Sequence, residues 1–338
     1  MVKEVILSKS WYHFLAPRYW MMWIAIGLLR LSAFLPYSIL LFLGKNSGRL
    51  VMRVWRERRI ITAVNIKLCF PNLSVIEQQD LLRQSFESVG IGLFETALAW
   101  FASDKRIRKI ACVVNLENLV AAKANDAGVL VTAAHFTHIE LSLRIFSFCT
   151  PVSVMYRPQK NKLFEWVLQK CRARYVQEGI HRDDIRGMLR VIRKKETAVV
   201  YTADQDLGHH LGTIFAPFFG VTASTVLGGN YLAKKTGCTV LPVFCHRNKT
   251  AKYYEVYILP PLENFPSGDN IVDATRTNKI IEEAILKAPE QYIWQHRRFK
   301  TRPPGEPGVY FKYSKKACPL PVVERKGEVG VSEFETRQ

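Results

Sequence analysis

The stretch GVLVTAAHFTHIELSLRIF, residues 128–146, decides how this chain is read. Its first part, GVLVTAA (128–134), is a short apolar run opened by glycine, the pattern of a strand buried on both faces. Its second part carries apolar residues at helical spacing. His135 falls where the strand ends and Glu140 within the first turns of the helix. Inside one helix these two side chains would point about 140° apart, at about 100° per residue. They can meet only if His135 precedes the helix and folds back over its start. The carboxyl ends of strands are where α/β sheets bind ligands. A histidine with a carboxylate partner there forms a general-base pair, in which the carboxylate fixes the tautomer and stabilises the imidazolium. The spacing H-x4-E by itself is common in unrelated chains, so a structural histidine stays open at this point.

Working outward, four more apolar runs follow: PVSVMYR (151–157), TAVVYTA (197–203), CTVLPVFC (238–245) and YYEVYIL (253–259). The first four runs of the series are separated by stretches long enough for helices. Strands alternating with helices predict an α/β fold, a mixed sheet flanked by helices. Residues 45–125 read as mostly helical, with Ser74 and Glu77 marking a helix start before LLRQSFESVGIGLFETALAWF (81–101). A helix opens the segment 278–299 and is interrupted at Pro289. The polar, aperiodic tail 313–338 is expected to be disordered. The catalytic domain is then 45–312, preceded by an anchor over 1–44.

That anchor is read from residues 19–43, YWMMWIAIGLLRLSAFLPYSILLFL, in which Arg30 is the only charge. A helix of this length would cross about 30 Å of hydrocarbon. Arg30 and Pro36 count against a straight span, so a kinked span, a re-entrant hairpin and an interfacial helix all stay open. Trp11, Tyr12, Tyr19, Trp20 and Trp23 suit the headgroup region. Lys3, Lys9 and Arg18 precede the run; Lys45, Arg49, Arg53, Arg56, Arg58 and Arg59 follow it. This bias puts the catalytic part in the cytoplasm, on a single-pass or monotopic anchor.

The 338 residues carry 48 Lys+Arg against 29 Asp+Glu, a net charge of +19, which points to an anionic partner. Seven cysteines without a C-x-x-C pair exclude a disulfide scaffold and a zinc ribbon. A zinc site drawn from His135, His138, Glu140, His209 and His210 lacks a pattern such as H-E-x-x-H. Nucleic-acid binding lacks any RNP, helix-turn-helix or finger pattern. Arg157, Lys160, Lys162, Lys170, Arg172 and Arg174 form one basic cluster, suited to phosphate; Arg297, Arg298, Lys300 and Arg302 form another.

HFTHIE (135–140) after an apolar strand resembles the H-x4-D/E signature of membrane acyltransferases. Tyr156-Arg157-Pro158, Asp204-Gln205-Asp206, FAPFF (215–219) and above all APEQYIWQHRRFKTR (288–302) resemble one branch, the late acyltransferases of lipid A biosynthesis. The likeness runs from the N-terminal segment to about Tyr310. It implies a glycerolphosphate-acyltransferase-like fold at the bacterial inner membrane, and no cofactor. The implied reaction moves a fatty acyl group from acyl carrier protein to the hydroxyl of a 3-hydroxyacyl chain on a Kdo-bearing lipid A precursor. His135 is implied as the general base, Glu140 as its partner, and Arg172 and Asp204 as further polar active-site residues. His138 departs from the pattern. A glycerophospholipid acyltransferase is the alternative, but its F-P-E-G-T-R-S block is missing; Thr202-Ala203-Asp204-Gln205-Asp206 stands there instead.

Overall fold

The computed structural model describes residues 11–124, 127–208, 212–248 and 254–310. The expected disordered tail 313–338, like Lys3, Lys9, His209 and His210, lies outside the described residues. The chain opens with helices α1 (Trp20–Ser32), α2 (Tyr37–Val54), α3 (Arg56–Cys69), α4 (Val75–Phe101) and α5 (Asp104–Arg108). Strand β1 (Ala111–Val114), helix α6 (Leu116–Ala124), β2 (Val129–Ala133), α7 (Ile139–Phe146), β3 (Val152–Tyr156) and α8 (Lys162–Arg172) come next. Then follow β4 (Glu178–His181), α9 (Ile185–Lys194), β5 (Ala198–Thr202), β6 (Thr213–Phe218) and β7 (Val221–Val226). Helix α10 (Gly228–Thr236), β8 (Thr239–Arg247), β9 (Tyr254–Ile258) and α11 (Asn270–Lys287) complete the order.

Seven strands form one sheet in the order β1-β9-β8-β2-β5-β3-β4. All neighbours are parallel except β8 and β9. The mixed α/β sheet flanked by helices is therefore as the sequence predicts. Burial on both faces explains the unbroken apolar runs: Val129 and Val131 feed one core with α4, α7 and α8, while Leu130 feeds another with α3, α9, α10 and α11. β1, β4 and the β6–β7 hairpin were not anticipated, because each is short or interrupted by polar residues.

Ser74 caps α4 as expected: its Oγ accepts from Glu77 N, and Ser74 N donates back to Glu77 at 2.8 Å. Helix α4 is pressed tightly on its neighbours at three glycines. A Cβ on Gly90 would lie 2.1 Å from Gly44 O, one on Gly48 2.1 Å from Phe86 O, and one on Gly92 2.5 Å from Thr137 O. The first two let α2 cross α4 backbone to backbone; the third lets α4 abut the loop after β2.

The N-terminal segment differs from a single spanning helix. Pro36 has no N–H to continue a helix, so the apolar run divides into α1 and α2. The 13 residues of α1 span about 20 Å, short of the hydrocarbon thickness. Among the described residues no helix is long and apolar enough to cross a membrane. The 44/45 boundary also falls inside α2, whose Leu40 and Gly44 are buried and whose Tyr37 hydroxyl donates to Tyr254 at 2.8 Å. The second arm therefore packs on α4 and β9. On the outside of the pair, Trp20, Met21, Ile24, Leu28 and Leu31 of α1 and Ile39, Phe42, Leu43 and Leu50 of α2 are exposed.

Candidate active site

The register of β2 and β5 builds the site. Ala133 pairs with Thr202 at the carboxyl ends of these neighbouring parallel strands. Two residues further on, each strand delivers a polar side chain to the same place, His135 and Asp204. Asp204 Oδ1 lies 2.6 Å from His135 Nδ1, and Asp204 Oδ2 accepts from the backbone N–H of His135 at 2.9 Å. The carboxylate thus holds both the ring and its backbone, fixing the proton on Nδ1 and turning Nε2 outward. Gln205 Nε2 lies 3.1 Å from that outward nitrogen.

Burial depresses the tendency of His135 to protonate, but the charge of Asp204 and its hydrogen bond outweigh this and raise the pKa. Burial alone would raise Asp204. The charge and hydrogen bond of His135, with His296 nearby, instead hold it well below the usual carboxylate range. Asp204 is fully buried, while the His135 side chain keeps 23% exposure. That leaves a buried carboxylate beneath a partly exposed imidazole.

Glu140 is not the carboxylate on His135. The start of α7 carries it to the opposite side of the loop. There it accepts from Arg172 through two guanidinium nitrogens, from Tyr175 OH at 3.1 Å and from Trp100 Nε1 at 3.3 Å. Burial would raise its pKa, but Arg172 first, with Trp100 and Tyr175, lowers it. Glu140 therefore ties the ends of α4, α7 and α8 together. The expected His135–Glu140 contact fails for a geometric reason: the sheet register gives Asp204 to His135 first.

The other expected positions separate. Arg157 is exposed just past β3, beside the sheet end that carries the pair. Arg172, at the end of α8, has its guanidinium engaged by Glu140. Arg297 is exposed and paired with Glu57 at 2.9 Å. Arg298 is fully buried. It donates to Ser224 O at 2.6 Å and lies over the Phe218 ring, so it braces the β6–β7 hairpin and is closed to a ligand. The run 288–302 serves the site mainly through its backbone. Thr137 N donates to Gln291 O at 2.8 Å, Ile293 N donates to His135 O at 3.0 Å, and Phe136 bridges to Tyr292. Thr301 donates to Asp206 through N at 2.6 Å and Oγ1 at 2.8 Å. This zipper clamps the loops after β2 and β5.

His138 is buried and bonded to Gln291 Oε1 at 3.0 Å and Ser142 Oγ at 2.9 Å. Among the described residues no group of three or more His, Cys, Asp or Glu is placed to hold a metal. Roles missed by sequence reading are those of Gln205, Tyr175, Trp100 and Gln291. The signal for Gln205 was its place beside Asp204, but only the strand register turns that into a contact.

Burial lowers the pKa of His138, and brings His246 and His296 down to about 4. Groups depressed below their unfolded value of about 6.5 contribute stability above that pH and lose it on acidification. His135 works in the opposite sense, since its raised pKa favours folding below about 6.5. Three against one, stability should fall between pH 6.5 and 4, by up to about 1.4 kcal/mol per pH unit for each depressed group. Urea midpoints at pH 7.5 and 5 check this. His246→Gln should lose less on acidification than the parent; an equal loss removes His246 from the account.

A mixed-sheet α/β protein thus carries a buried aspartate–histidine couple at the carboxyl ends of adjacent parallel strands, with the second ring nitrogen turned away from the aspartate. Comparison with known proteins gives the particular group. The bacterial lipid A biosynthesis acyltransferase family matches residues 8–301. The chain is similar to the lipid A biosynthesis palmitoleoyltransferase of Escherichia coli (strain K12), 41% identical over 298 residues, 88% of this chain and 96% of the relative. It is 38% identical over 297 residues to that organism's lipid A biosynthesis lauroyltransferase, again 88% and 96% of the two chains. The myristoyltransferase of the same organism is 25% identical over 305 residues, 88% of this chain and 92% of the relative. The chain belongs to the bacterial lipid A biosynthesis acyltransferases, and is an O-acyltransferase.

Proposed function

We propose that this enzyme moves a fatty acyl group from acyl carrier protein to the hydroxyl of a 3-hydroxyacyl chain on a Kdo-bearing lipid A precursor, at the cytoplasmic face of the inner membrane. The observation that carries the reading is the His135–Asp204 couple at the carboxyl ends of β2 and β5, its imidazole partly exposed and its Nε2 turned away from the carboxylate. His135 takes the proton of the acceptor hydroxyl, whose oxygen attacks the thioester carbon. Asp204 holds the Nδ1–H tautomer and stabilises the imidazolium. The proton then leaves with the carrier thiolate. Glu140 positions the loop and Arg172, and the exposed Arg157 meets the acceptor's phosphate. The net charge of +19 suits both an anionic lipid and an acidic carrier. Purified enzyme given acyl-carrier thioester and the precursor should yield a product one acyl chain heavier by mass spectrometry. If glycerol 3-phosphate or lysophosphatidate is acylated in its place, the reading is wrong.

The exposed apolar sides of α1 and α2, flanked by Arg18, Lys45, Arg49 and Arg53, fit attachment in the plane of the membrane interface. A monotopic hairpin would bring the site to a lipid acceptor without a spanning helix. Ile24→Glu with Leu28→Glu, both on the outer side of α1, should release the protein from anionic vesicles while leaving its circular dichroism unchanged. Sedimentation with vesicles at low and high salt decides; a double variant still bound at high salt removes α1 from the anchor.

A further inference from the structure

Neutral His135 carries its proton on Nδ1, because Asp204 accepts there, and so presents a lone pair at Nε2. Between an amide and that lone pair only the amide NH2 can donate, so the tautomer fixes the orientation of Gln205 at 3.1 Å. The backbone around Gln205 is pinned on both sides. Asp204 is held against His135, and Asp206 accepts from Thr301 N at 2.6 Å and from Gly208 N at 2.8 Å. The Gln205 side chain itself is exposed. A side chain free to rotate on a fixed backbone therefore sits on the one atom that must receive the acceptor's proton.

An amide on that lone pair has to leave before a hydroxyl can use it. Its backbone does not move away, so the amide stays within a side chain's length of the reacting centre. That is where the thioester carbonyl oxygen gains charge, and an N–H donor aimed at such an oxygen is worth about 10²–10³ in rate. We infer that Gln205 is a catalytic residue with two positions, a cap on His135 Nε2 in the resting enzyme and a donor to the thioester carbonyl oxygen once the acceptor hydroxyl displaces it. The inference rests on the acyl-transfer reading given above. In the step it serves, the hydroxyl proton passes to His135 Nε2 and the C–O bond forms. The carbonyl oxygen takes the electron pair and accepts from Gln205. The pair then returns, the C–S bond breaks, and the thiolate recovers the proton from Nε2.

Gln205→Ala should lower kcat by about 10²–10³, while the acceptor KM stays level or falls because no amide has to be displaced. A second readout is independent of turnover. Donation to the Nε2 lone pair stabilises the neutral ring, so its loss should move the acid limb of kcat/KM, and the NMR titration of the His135 ring, to higher pH. The charged or titratable groups facing His135 are Asp204 from β5 and His296 from the 288–302 run, and the variant retains both. Gln205→Glu should be worse than alanine and move the limb further, since a carboxylate favours the imidazolium and repels the oxyanion. Wild-type kcat in Gln205→Ala, or a lower kcat with neither titration moved, overturns the inference. If the wild-type enzyme makes no product, the acyl-transfer reading fails; if it does and His135→Ala does not, a silent Gln205→Ala rejects only the role of Gln205.

Discussion

His135→Ala should lower turnover by about 10²–10⁴-fold in a protein that still folds and still binds membranes. Asp204→Asn should cost about as much, although it changes no volume. Asp204 accepts twice from His135, from Nδ1 and from the backbone N–H. An asparagine that keeps the backbone bond through its oxygen turns its NH2 toward Nδ1. The ring proton is then driven to Nε2, and the base is lost; the wrong tautomer in a serine protease triad costs about 10⁴ in rate. Because the pair acts as a unit, the double variant should be barely slower than His135→Ala. Glu140→Gln in the His135→Ala background should still add its own loss, since Glu140 bonds to a different set of groups. Single-turnover rates of the purified variants give the result directly. Additive losses for His135 and Asp204, with none added by Glu140, would return Glu140 to the role of partner.

This exchange of partners shows what the sequence could and could not display. The strand before His135 and the helix after it were legible, because uninterrupted apolar residues and helical spacing are local signals. The histidine's position at a strand end was legible for the same reason. Its carboxylate was not, because 69 residues separate His135 from Asp204 and only the pairing of Ala133 with Thr202 aligns them. Arg298 was read as one of a basic cluster with Arg297, Lys300 and Arg302, yet its side chain is buried over Phe218. The N-terminal run was read as an apolar helical anchor, and its residues form the helices α1 and α2. Pro36 marked its break, but the sequence could not show that α2 packs on α4 through Gly44, Gly48 and Gly90, a contact made by the absence of side chains. Position along the chain is readable; the partner across a sheet or a helix crossing is set by register.

The Glu140–Arg172 pair should prove as important for stability as the His135–Asp204 pair is for chemistry. Glu140 is buried, and its four donors come from Arg172, Tyr175 and the end of α4. Removing either charge leaves the other buried without its counter-charge, which costs about 3–5 kcal/mol. In Arg172→Ala the burial of Glu140 is no longer opposed, so its pKa should rise and the carboxyl take up a proton. Glu140→Ala leaves the guanidinium, which cannot neutralise itself, and should be the harsher change. Glu140→Gln with Arg172→Gln removes both charges and should recover part of either single loss, since a neutral pair has far less desolvation to offset. Urea unfolding of the four proteins measures this. The same variants sort the substrate contacts. Arg172 is spent on Glu140, so Arg172→Ala should lower kcat/KM equally on acceptors with and without phosphate. The exposed Arg157 should behave differently, with Arg157→Ala raising KM on phosphorylated acceptors only. If Arg172→Ala spares unfolding stability but discriminates between the two acceptors, its guanidinium is a phosphate ligand first and a partner of Glu140 second.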